Sequence, residues 1–581
     1  MQLKMRPGME LRRRLIVGLL ISGLLLFGTY VRCADAGQKV YTVDEVRGLL
    51  RASGVTSKGF VASVYTGEPV VNRDLQKYQT ASVDKPLGDA LSAFANNPEH
   101  PPLYYLMMRF SLQLFQQAAA SRWLAIGFSL LLLPAIYWLC AELFAPAAIR
   151  PAVVGHSVLA LVAVSPFQVL LAQEARQYTV WALLAVVSSA FLLRSLKGSQ
   201  NSNGGFSWVG YGVTATLGMY SHLFFTWVLV SHGLYVLLTE KLRLSQKLLR
   251  YLVVSVGISA AFFPWVWVVA TRMETIAKTT KWASTYSDTL ASRSVTWLHN
   301  LGIGFIDFGW RVRVDNPVSY LILALVAYST YQLCRHTPRR VWLFVLLLMG
   351  VSSMAQVLPD VLHGGRRSLL PRYSLTAYLG IELAVGYAIA QVFDAQYLAH
   401  LNTLDPATIA SRWQSFSRPL KRVLSIALIL GGMLSSGLIT QSLGWGKGSS
   451  AFTTQASPII NQVSQPLVLS DVDHTYALSL VHQVSPDTRF ILLNREQSPD
   501  YAAVIAQLPA NSDFFLFAAS PSMVAYFQAA DSLWVMPQTK DMRTARLYQA
   551  KRLRAPLLVE QRVVEQRVAE QRMVEQRVAD Q

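Results

Sequence analysis

The sequence has few charged residues for its length. Only 15% of the 581 residues are Asp, Glu, Lys or Arg, against about 25% in an average soluble protein. At the same time 52% of the residues are hydrophobic, and the mean hydropathy is +0.32. Disordered chains are poor in hydrophobic residues. The composition therefore excludes both a soluble globular protein and a disordered one, and it is typical of a membrane protein.

Cysteine is also scarce. Cys33, Cys140 and Cys334 lie far apart and lack the spacing of a metal-binding motif. Only Cys33 is predicted to lie outside the membrane on the far side, so we expect no internal disulfide. The net charge of +19 would indicate nucleic acid in a soluble protein. Here we assign it to cytoplasmic loops that follow the positive-inside rule, and we expect membrane lipids but no nucleic acid as partners.

Long apolar runs recur along most of the chain. Each has about 17 to 24 residues, enough to cross a hydrocarbon core of about 30 Å. The first apolar run could instead belong to a signal peptide, because Ala34-Asp35-Ala36 is similar to a cleavage site. The length of this run favours a transmembrane helix that is retained. The helical run 101–115 is too short and is predicted to lie along the interface. We predict about eleven transmembrane helices, at 15–31, 121–144, 151–171, 176–194, 206–220, 222–239, 250–271, 317–334, 341–359, 373–393 and 422–443.

Basic residues predict the orientation of these helices. With the N-terminus in the cytoplasm, the basic clusters within 240–250, 335–340 and 412–421 all lie on the cytoplasmic side. Counting 101–115 as a further span would place most of them outside. We therefore predict a multi-pass plasma-membrane protein whose C-terminal part lies on the periplasmic side.

The chain changes character after the last predicted span. Between 446 and 555, apolar strand-like runs alternate with helix-like stretches, which predicts a small extracytoplasmic α/β domain with a parallel sheet. It contains no glycine-rich phosphate loop, so nothing in it indicates nucleotide binding. Within residues 556–581 the triplet Glu-Gln-Arg, usually followed by valine, recurs with a period of five from Glu560, and this low-complexity tail is predicted to be disordered. Residues 1–445, with a first outer loop at 32–120, form the predicted transmembrane module.

The predicted topology gathers ionisable residues on the outer face. Such residues at membrane depth are costly and often mark function, and acids beside cations suit a reaction that needs a base and a stabilised phosphate. Each also has a structural explanation: acids at a helix N-terminus, an ion pair, headgroup anchors or a packing histidine. The residues concerned include Asp44, Glu45, His100, Glu174, Arg176, His222, Arg366, Arg367, Arg372 and Tyr373.

Five short motifs occur in order along residues 10–445. They are Lys39 to Glu45 (KVYTVDE), His100 to Tyr105 (HPPLYY), Gln173 to Tyr178 (QEARQY), Tyr220 to His222 (YSH) and Arg372-Tyr373. Together they resemble the motifs of membrane glycosyltransferases that use polyprenyl-phosphate sugars, namely the protein O-mannosyltransferases and the transferase that adds aminoarabinose to lipid A. The resemblance does not extend to the C-terminal domain or the tail.

This resemblance implies a C-type glycosyltransferase fold with a site at the outer face. It implies a lipid-monophosphate sugar donor and a single displacement that inverts the anomeric centre. Asp44 would be the base for the acceptor hydroxyl or amine, with Glu45 beside it. His100, Glu174, Arg176, Tyr178 and His222 would line the pocket, and the donor phosphate would be held by one of Arg372, Arg366, Arg367 and Lys85, with Tyr373 beside Arg372.

Several alternatives stay open from the residues alone. No cofactor is certain, and a divalent metal is possible because the fold includes members with and without one. The sugar is not identified, and the acceptor can be a protein, a lipid or a polysaccharide. A transporter or flippase of lipid-linked glycans would use the same cations without chemistry, although transporters bind near the midplane. A scaffold leaves the ordered motifs unexplained.

Overall fold

The computed structural model describes residues 7–81, 85–197, 204–284, 288–394, 409–508, 513–530, 533–538 and 547–552, and the structure is mainly helical. The first ten helices are α1 (Pro7–Cys33), α2 (Val43–Ala52), α3 (Ser57–Val64), α4 (Asn72–Gln76), α5 (Leu87–Ala95), α6 (Leu103–Phe115), α7 (Ala120–Leu143), α8 (Pro151–Val164), α9 (Pro166–Ala172) and α10 (Tyr178–Lys197). The next nine are α11 (Gly204–Ser221), α12 (Phe225–Thr239), α13 (Gln246–Ala270), α14 (Met273–Ser284), α15 (Leu290–Ile303), α16 (Pro317–His336), α17 (Arg339–His363), α18 (Leu375–Phe393) and α19 (Ile409–Gln441).

The remaining elements form the C-terminal part and one strand of the first loop. The helices are α20 (Thr453–Ile460), α21 (His474–Leu480), α22 (Tyr501–Gln507) and α23 (Pro521–Ala529). The strands are β1 (Thr66–Val71), β2 (Leu467–Ser470), β3 (Arg489–Leu493), β4 (Asp513–Phe517), β5 (Leu533–Pro537) and β6 (Leu547–Arg552). The tail predicted at 556–581 and residues 395–408 of the loop 394–421 lie outside the described residues.

The chain divides into two compact units. The membrane unit comprises Met1–Lys39 and Val83–Trp445, and the sheet unit comprises Val40–Ser82 and Gly446–Gln581. The sequence-based division had placed the whole first outer loop, 32–120, in the transmembrane module. The structure instead groups the middle of that loop with the C-terminal residues, because β1 is a strand of their sheet.

Each predicted span overlaps a described helix of the membrane unit, while the number of eleven transmembrane helices stays a prediction. Among the described residues, eight helices are long and apolar enough to cross a membrane, and nine if a bent pair counts as one span. The chain is thus an integral multi-pass membrane protein, as predicted. The predicted span at 222–239 begins three residues too early, because α12 starts at Phe225 and leaves His222 in the connection before it. With 15 residues, α12 is about 22 Å long.

The bent pair is α8 and α9, which the sequence had suggested as one span. The two helices meet at 61° where Ser165 and Pro166 interrupt the helical hydrogen bonding, because proline has no N–H to donate. Arg32, which is fully buried, donates from Nη1 to the carbonyl oxygen of Ala163 at 2.7 Å and from Nη2 to that of Val162 at 2.8 Å. The guanidinium thus replaces donors that the break removes.

Close backbone approach puts Arg32 at the break. A Cβ atom on Gly28, one turn before Arg32, would lie 2.6 Å from the carbonyl oxygen of Ala163. Only glycine therefore allows α1 to lie this near α8. The apolar core of the membrane unit includes a cluster of buried side chains from α8, α16, α18, α19 and the residues after α15: Leu161, Phe305, Ile322, Val326, Val385, Ile389 and Leu428.

The sheet unit contains one six-stranded sheet with the order β1-β3-β2-β4-β6-β5. Strands β3, β2 and β4 are parallel, whereas β1, β6 and β5 pair antiparallel with their neighbours. The predicted C-terminal α/β domain is confirmed, but the prediction of a parallel sheet is wrong for its outer strands. Its core has inward side chains of the central strands and of α22 and α23, including Leu469, Ile491, Leu516 and Phe527.

Candidate functional site

Three connections between helices meet in the membrane unit. They are the residues between α9 and α10, those between α11 and α12, and those between α17 and α18. The ring of Tyr178 at the start of α10 lies 6.0 Å from that of His222, and the guanidinium carbon of Arg372 lies 5.8 Å from the Tyr178 ring centre. We name the five predicted residues gathered here the junction cluster: Arg176, Tyr178, His222, Arg372 and Tyr373.

Cations in the junction cluster surround an aromatic ring. The guanidinium carbon of Arg176 lies 5.9 Å from the centre of the Tyr178 ring, a distance typical of cation–π contacts. Arg372 lies 5.7 Å from the Tyr373 ring as well. Arg176 is only 3% exposed, so its charge acts where solvent screening is weak. Two guanidinium groups near one ring make this junction strongly attractive to an anion.

The turn that contains Arg176 is hydrogen-bonded to α1. Gln173 ends α9, and its Nε2 donates to the carbonyl oxygen of Val31 at 2.7 Å. The backbone then turns tightly, with the Arg176 N–H donating to the carbonyl oxygen of Glu174 at 2.7 Å. Glu174 is buried beside Arg176 in this turn. The α8–α9 break and the Gln173 contact together set the position of the guanidinium.

A hydrogen-bonded chain connects Arg176 to His100. Arg176 Nη1 donates to the hydroxyl oxygen of Tyr105 at 3.0 Å, and that hydroxyl donates to Gln177 Oε1 at 3.2 Å. Gln177 Nε2 lies 3.3 Å from Nδ1 of His100. His100 is therefore connected to the junction cluster by hydrogen bonds. Tyr105 and Gln177 were not among the predicted site residues, although both belong to the quoted motifs.

His222 is a neutral imidazole in this environment. Burial, followed by the positive charges of Arg176 and Arg372, lowers the pKa of His222 to about 3. Its Nδ1 accepts the N–H of Phe224 at 3.0 Å, so Nε2 carries the proton of the neutral ring. The ring stacks on Trp181 with centroids 4.5 Å apart. His222 can therefore donate a hydrogen bond, but it is protonated too weakly to act as a cation near neutral pH.

The other three candidate phosphate ligands have different surroundings. The guanidinium carbon of Arg366 lies 5.8 Å from the centre of the Trp282 ring, and the backbone N–H of Arg366 donates to the carbonyl oxygen of Ala283 at 2.9 Å. Arg367 begins a short 3₁₀ helix. Partial burial, opposed by Asp89, lowers the pKa of the Lys85 amine. Of these four cations, Arg372 contacts the ring of Tyr178, which Arg176 also contacts.

Asp44 and Glu45 belong to the sheet unit, in the first turn of α2. The Thr42 side chain accepts the Glu45 N–H at 3.2 Å, and the Glu45 carboxylate accepts the Thr42 N–H at 2.8 Å, which is a capping box. Glu45 is fully buried and lies 3.6 Å from the Lys447 amine. Asp44 is half-buried. The acids thus occupy the helix N-terminal position that is one structural explanation of the pair, and the capping box is formed by Glu45.

A metal ion in a protein is usually held by three or more His, Cys, Asp or Glu side chains that lie close together. Within the described part of the chain, no three His, Cys, Asp or Glu residues are grouped so as to hold a metal ion.

Comparison with known proteins supports the fold. No protein-family model matches the chain, and no curated protein matches it. ArnT from Cupriavidus metallidurans in the apo state is similar in structure, with a TM-score of 0.51 and 15% identity over 92% of this chain and 97% of that chain. The same protein bound to undecaprenyl phosphate has a TM-score of 0.51 and 14% identity over the same shares. The similarity covers nearly the full length of both proteins, and it confirms that this chain has the C-type glycosyltransferase fold, with an α-helical membrane unit and a small C-terminal α/β domain.

Proposed function

We propose that this protein is a membrane glycosyltransferase that moves a sugar from a polyprenyl-monophosphate donor to an acceptor hydroxyl or amine on the extracytoplasmic side. The fold is that of ArnT, which has been captured with undecaprenyl phosphate. The observation that carries the proposal is the junction cluster, where Arg176 and Arg372 both lie within 6 Å of the Tyr178 ring centre. Arginine binds phosphate oxygens in a bidentate manner, which favours this position for the donor phosphate.

The leaving group determines what the cations contribute. When the bond between the anomeric carbon and the phosphate oxygen breaks, negative charge grows on the polyprenyl phosphate. Cations already in place stabilise that charge without reorganisation. The buried Arg176 and the half-buried Arg372 meet this requirement. Neutral His222 adds a hydrogen-bond donor at Nε2 to the same anion and leaves the charge balance unchanged.

The acceptor needs a base that takes up its proton. The acceptor oxygen or nitrogen forms the new bond to the anomeric carbon from the face opposite the phosphate, which inverts that centre, and its proton passes to a carboxylate. We assign this role to Asp44, because Glu45 is buried in the capping box and beside Lys447. A positioned carboxylate base contributes typically about 10²- to 10⁴-fold.

The proposal is tested with purified protein in lipid vesicles, a polyprenyl-phosphate sugar and candidate acceptors. Asp44→Asn is expected to lower transfer by at least about 100-fold while donor affinity stays within about threefold. Asp74→Asn is the matched control, because Asp74 lies in the same loop on the surface, beside Lys77, and it is expected to leave transfer unchanged. Near-normal transfer by Asp44→Asn would remove Asp44 from the mechanism. Donor movement across the bilayer without any transfer would favour a flippase instead.

A further inference from the structure

Lys447 holds a buried charge beside the acidic motif. It is the second residue of the C-terminal part of the sheet unit, and it is only 3% exposed. Its amine lies 3.6 Å from the carboxylate of Glu45, which has no exposed surface. A buried carboxylate without a cation nearby is strongly unfavourable and takes up a proton or moves to water. The Lys447 amine therefore offsets part of the cost of burying the Glu45 carboxylate.

Glu45 in turn holds the first turn of α2. Its carboxylate accepts the Thr42 N–H at 2.8 Å, and the Thr42 hydroxyl accepts the Glu45 N–H. These two bonds set the backbone on both sides of Asp44, because Asp44 lies between the two partners. An ionised carboxylate is a stronger acceptor than a protonated one, so the capping box depends on the charge that Lys447 stabilises.

Further contacts within the sheet unit fix this segment on C-terminal residues. Ser479 donates from its hydroxyl to the carbonyl oxygen of Tyr41 at 2.6 Å, and the Tyr41 ring lies 4.2 Å from that of His482. On the same helix, the Arg47–Asp473 pair is 3.8 Å long and both side chains are well exposed. Glu45 and Lys447, in contrast, form a buried ionic contact at the residue next to Asp44.

We propose that Lys447 is a positioning residue for the reaction: it acts on Asp44 through Glu45. The inference rests on the proposed function, in which Asp44 is the base. A base that shifts by about 1 Å loses about 100-fold in rate, while the site for the donor stays intact. The loss is therefore expected in kcat and not in the KM for the donor. A lysine that bound the donor phosphate would produce the opposite pattern.

The test compares five variants in reconstituted vesicles: Lys447→Met, Lys447→Arg, Glu45→Gln, Glu45→Gln/Lys447→Met and the control Arg47→Ala. Lys447→Met leaves a buried carboxylate without its cation, and it is expected to lower kcat by about 30- to 100-fold with the donor KM within about threefold. Lys447→Arg keeps the charge and is expected to recover most of the rate. The control removes an exposed pair of the same helix, and its kcat is expected to change less than about threefold.

The double variant separates positioning from general loss of structure. Glutamine continues the capping box, and no charge is left buried, so Glu45→Gln/Lys447→Met is expected to be at least about tenfold faster than Lys447→Met. A double variant no faster than Lys447→Met would overturn the inference, and so would a rise in donor KM at unchanged kcat. If Lys447→Met is purified but is too unstable for kinetics, its thermal unfolding is compared with that of Glu45→Gln and of the double variant. Losses of stability that simply add would refute the inference. Full activity of Asp44→Asn would remove the base that this inference needs, whereas the absence of sugar transfer by the unaltered protein would refute the proposed function itself.

Discussion

The guanidinium carbon of Arg372 lies 5.8 Å from the centre of the Tyr178 ring. Arg372 comes from the connection before α18, and Tyr178 begins α10. Their contact shows that two connections far apart in the chain meet at one place, and the same ring also faces Arg176. The pair therefore identifies which of the four candidate cations belongs to the buried junction.

Removal of Arg372 is expected to weaken donor binding. A charge-assisted bond to a partly desolvated phosphate contributes about 1.5 to 3 kcal/mol, so Arg372→Ala should lower donor affinity by roughly 10- to 150-fold. Arg366→Ala/Arg367→Ala is the control, because Arg366 lies over a half-exposed Trp282 ring and should lose far less. Donor affinity is measured at low and high salt. A large, salt-sensitive loss of donor affinity in the double variant alone would show that Arg366 or Arg367, and not Arg372, binds the donor phosphate.

His222 is expected to make the protein less stable in acid. Its pKa is about 3 in the folded protein and about 6.5 when unfolded, so the unfolded state binds a proton between these values and the folded state does not. Stability should therefore fall as the pH decreases from about 6.5 towards 3. His222→Phe keeps a ring on Trp181 but cannot titrate. Thermal unfolding at pH 7.5 and 4.5 should show a smaller loss for this variant, and equal losses would contradict the assignment.

Arg32 is expected to be essential for the bend between α8 and α9. Replacement by methionine leaves the carbonyl groups of Val162 and Ala163 without this donor, at a cost of about 3 kcal/mol or more in unfolding free energy. Transfer should fall as well, because the bend positions Arg176. Ser157→Ala is the control, since Ser157 bonds only one turn back within α8, to the Val153 carbonyl. A methionine variant as stable as this control would show that the bend persists without Arg32.

The orientation predicted from basic residues can be tested with reporter fusions. Fusions after Lys247 and after Arg340, at the starts of α13 and α17, should report the cytoplasm because positive residues stay on that side. A fusion after Gly446 should report the opposite side. The same side for all three would place the sheet unit, and with it Asp44, in the cytoplasm.

Secondary structure could be predicted where apolar residues form continuous runs. The four C-terminal strands β2 to β5 were predicted because their apolar runs lie between polar turns. Strands β1 and β6 were missed. The sequence of β1, Thr66–Val71, contains glycine, glutamate and proline, and β6 contains glutamine, lysine and arginine. Strand β1 lies at the edge of the sheet, where a strand is buried on fewer sides and needs no continuous apolar run. Strand β6 lies inside the sheet between β4 and β5, and its polar residues interrupt the apolar run that would have predicted it.

The site could be predicted only in part, for a similar reason. The order of the motifs along the chain predicted four site residues that the structure places close together: Arg176, Tyr178, His222 and Arg372. Trp181 and Tyr105 were missed because aromatic residues in apolar helices are usually core residues. Lys447 follows the last span, where a lysine is usually a headgroup anchor. Its contact with Glu45 connects residues from the two ends of the chain, and no local pattern reveals such a contact.

The sheet unit also sets the order of events during biosynthesis. Strand β1 and the Asp44 helix are synthesised before the membrane unit is complete, and their partners, β3 and Lys447, follow about 400 residues later. At about 5 to 20 residues per second, the acidic segment waits roughly 20 to 80 s for them. In the proposed mechanism, a chain that has not yet reached Lys447 therefore carries the arginines of the junction without an anchored base.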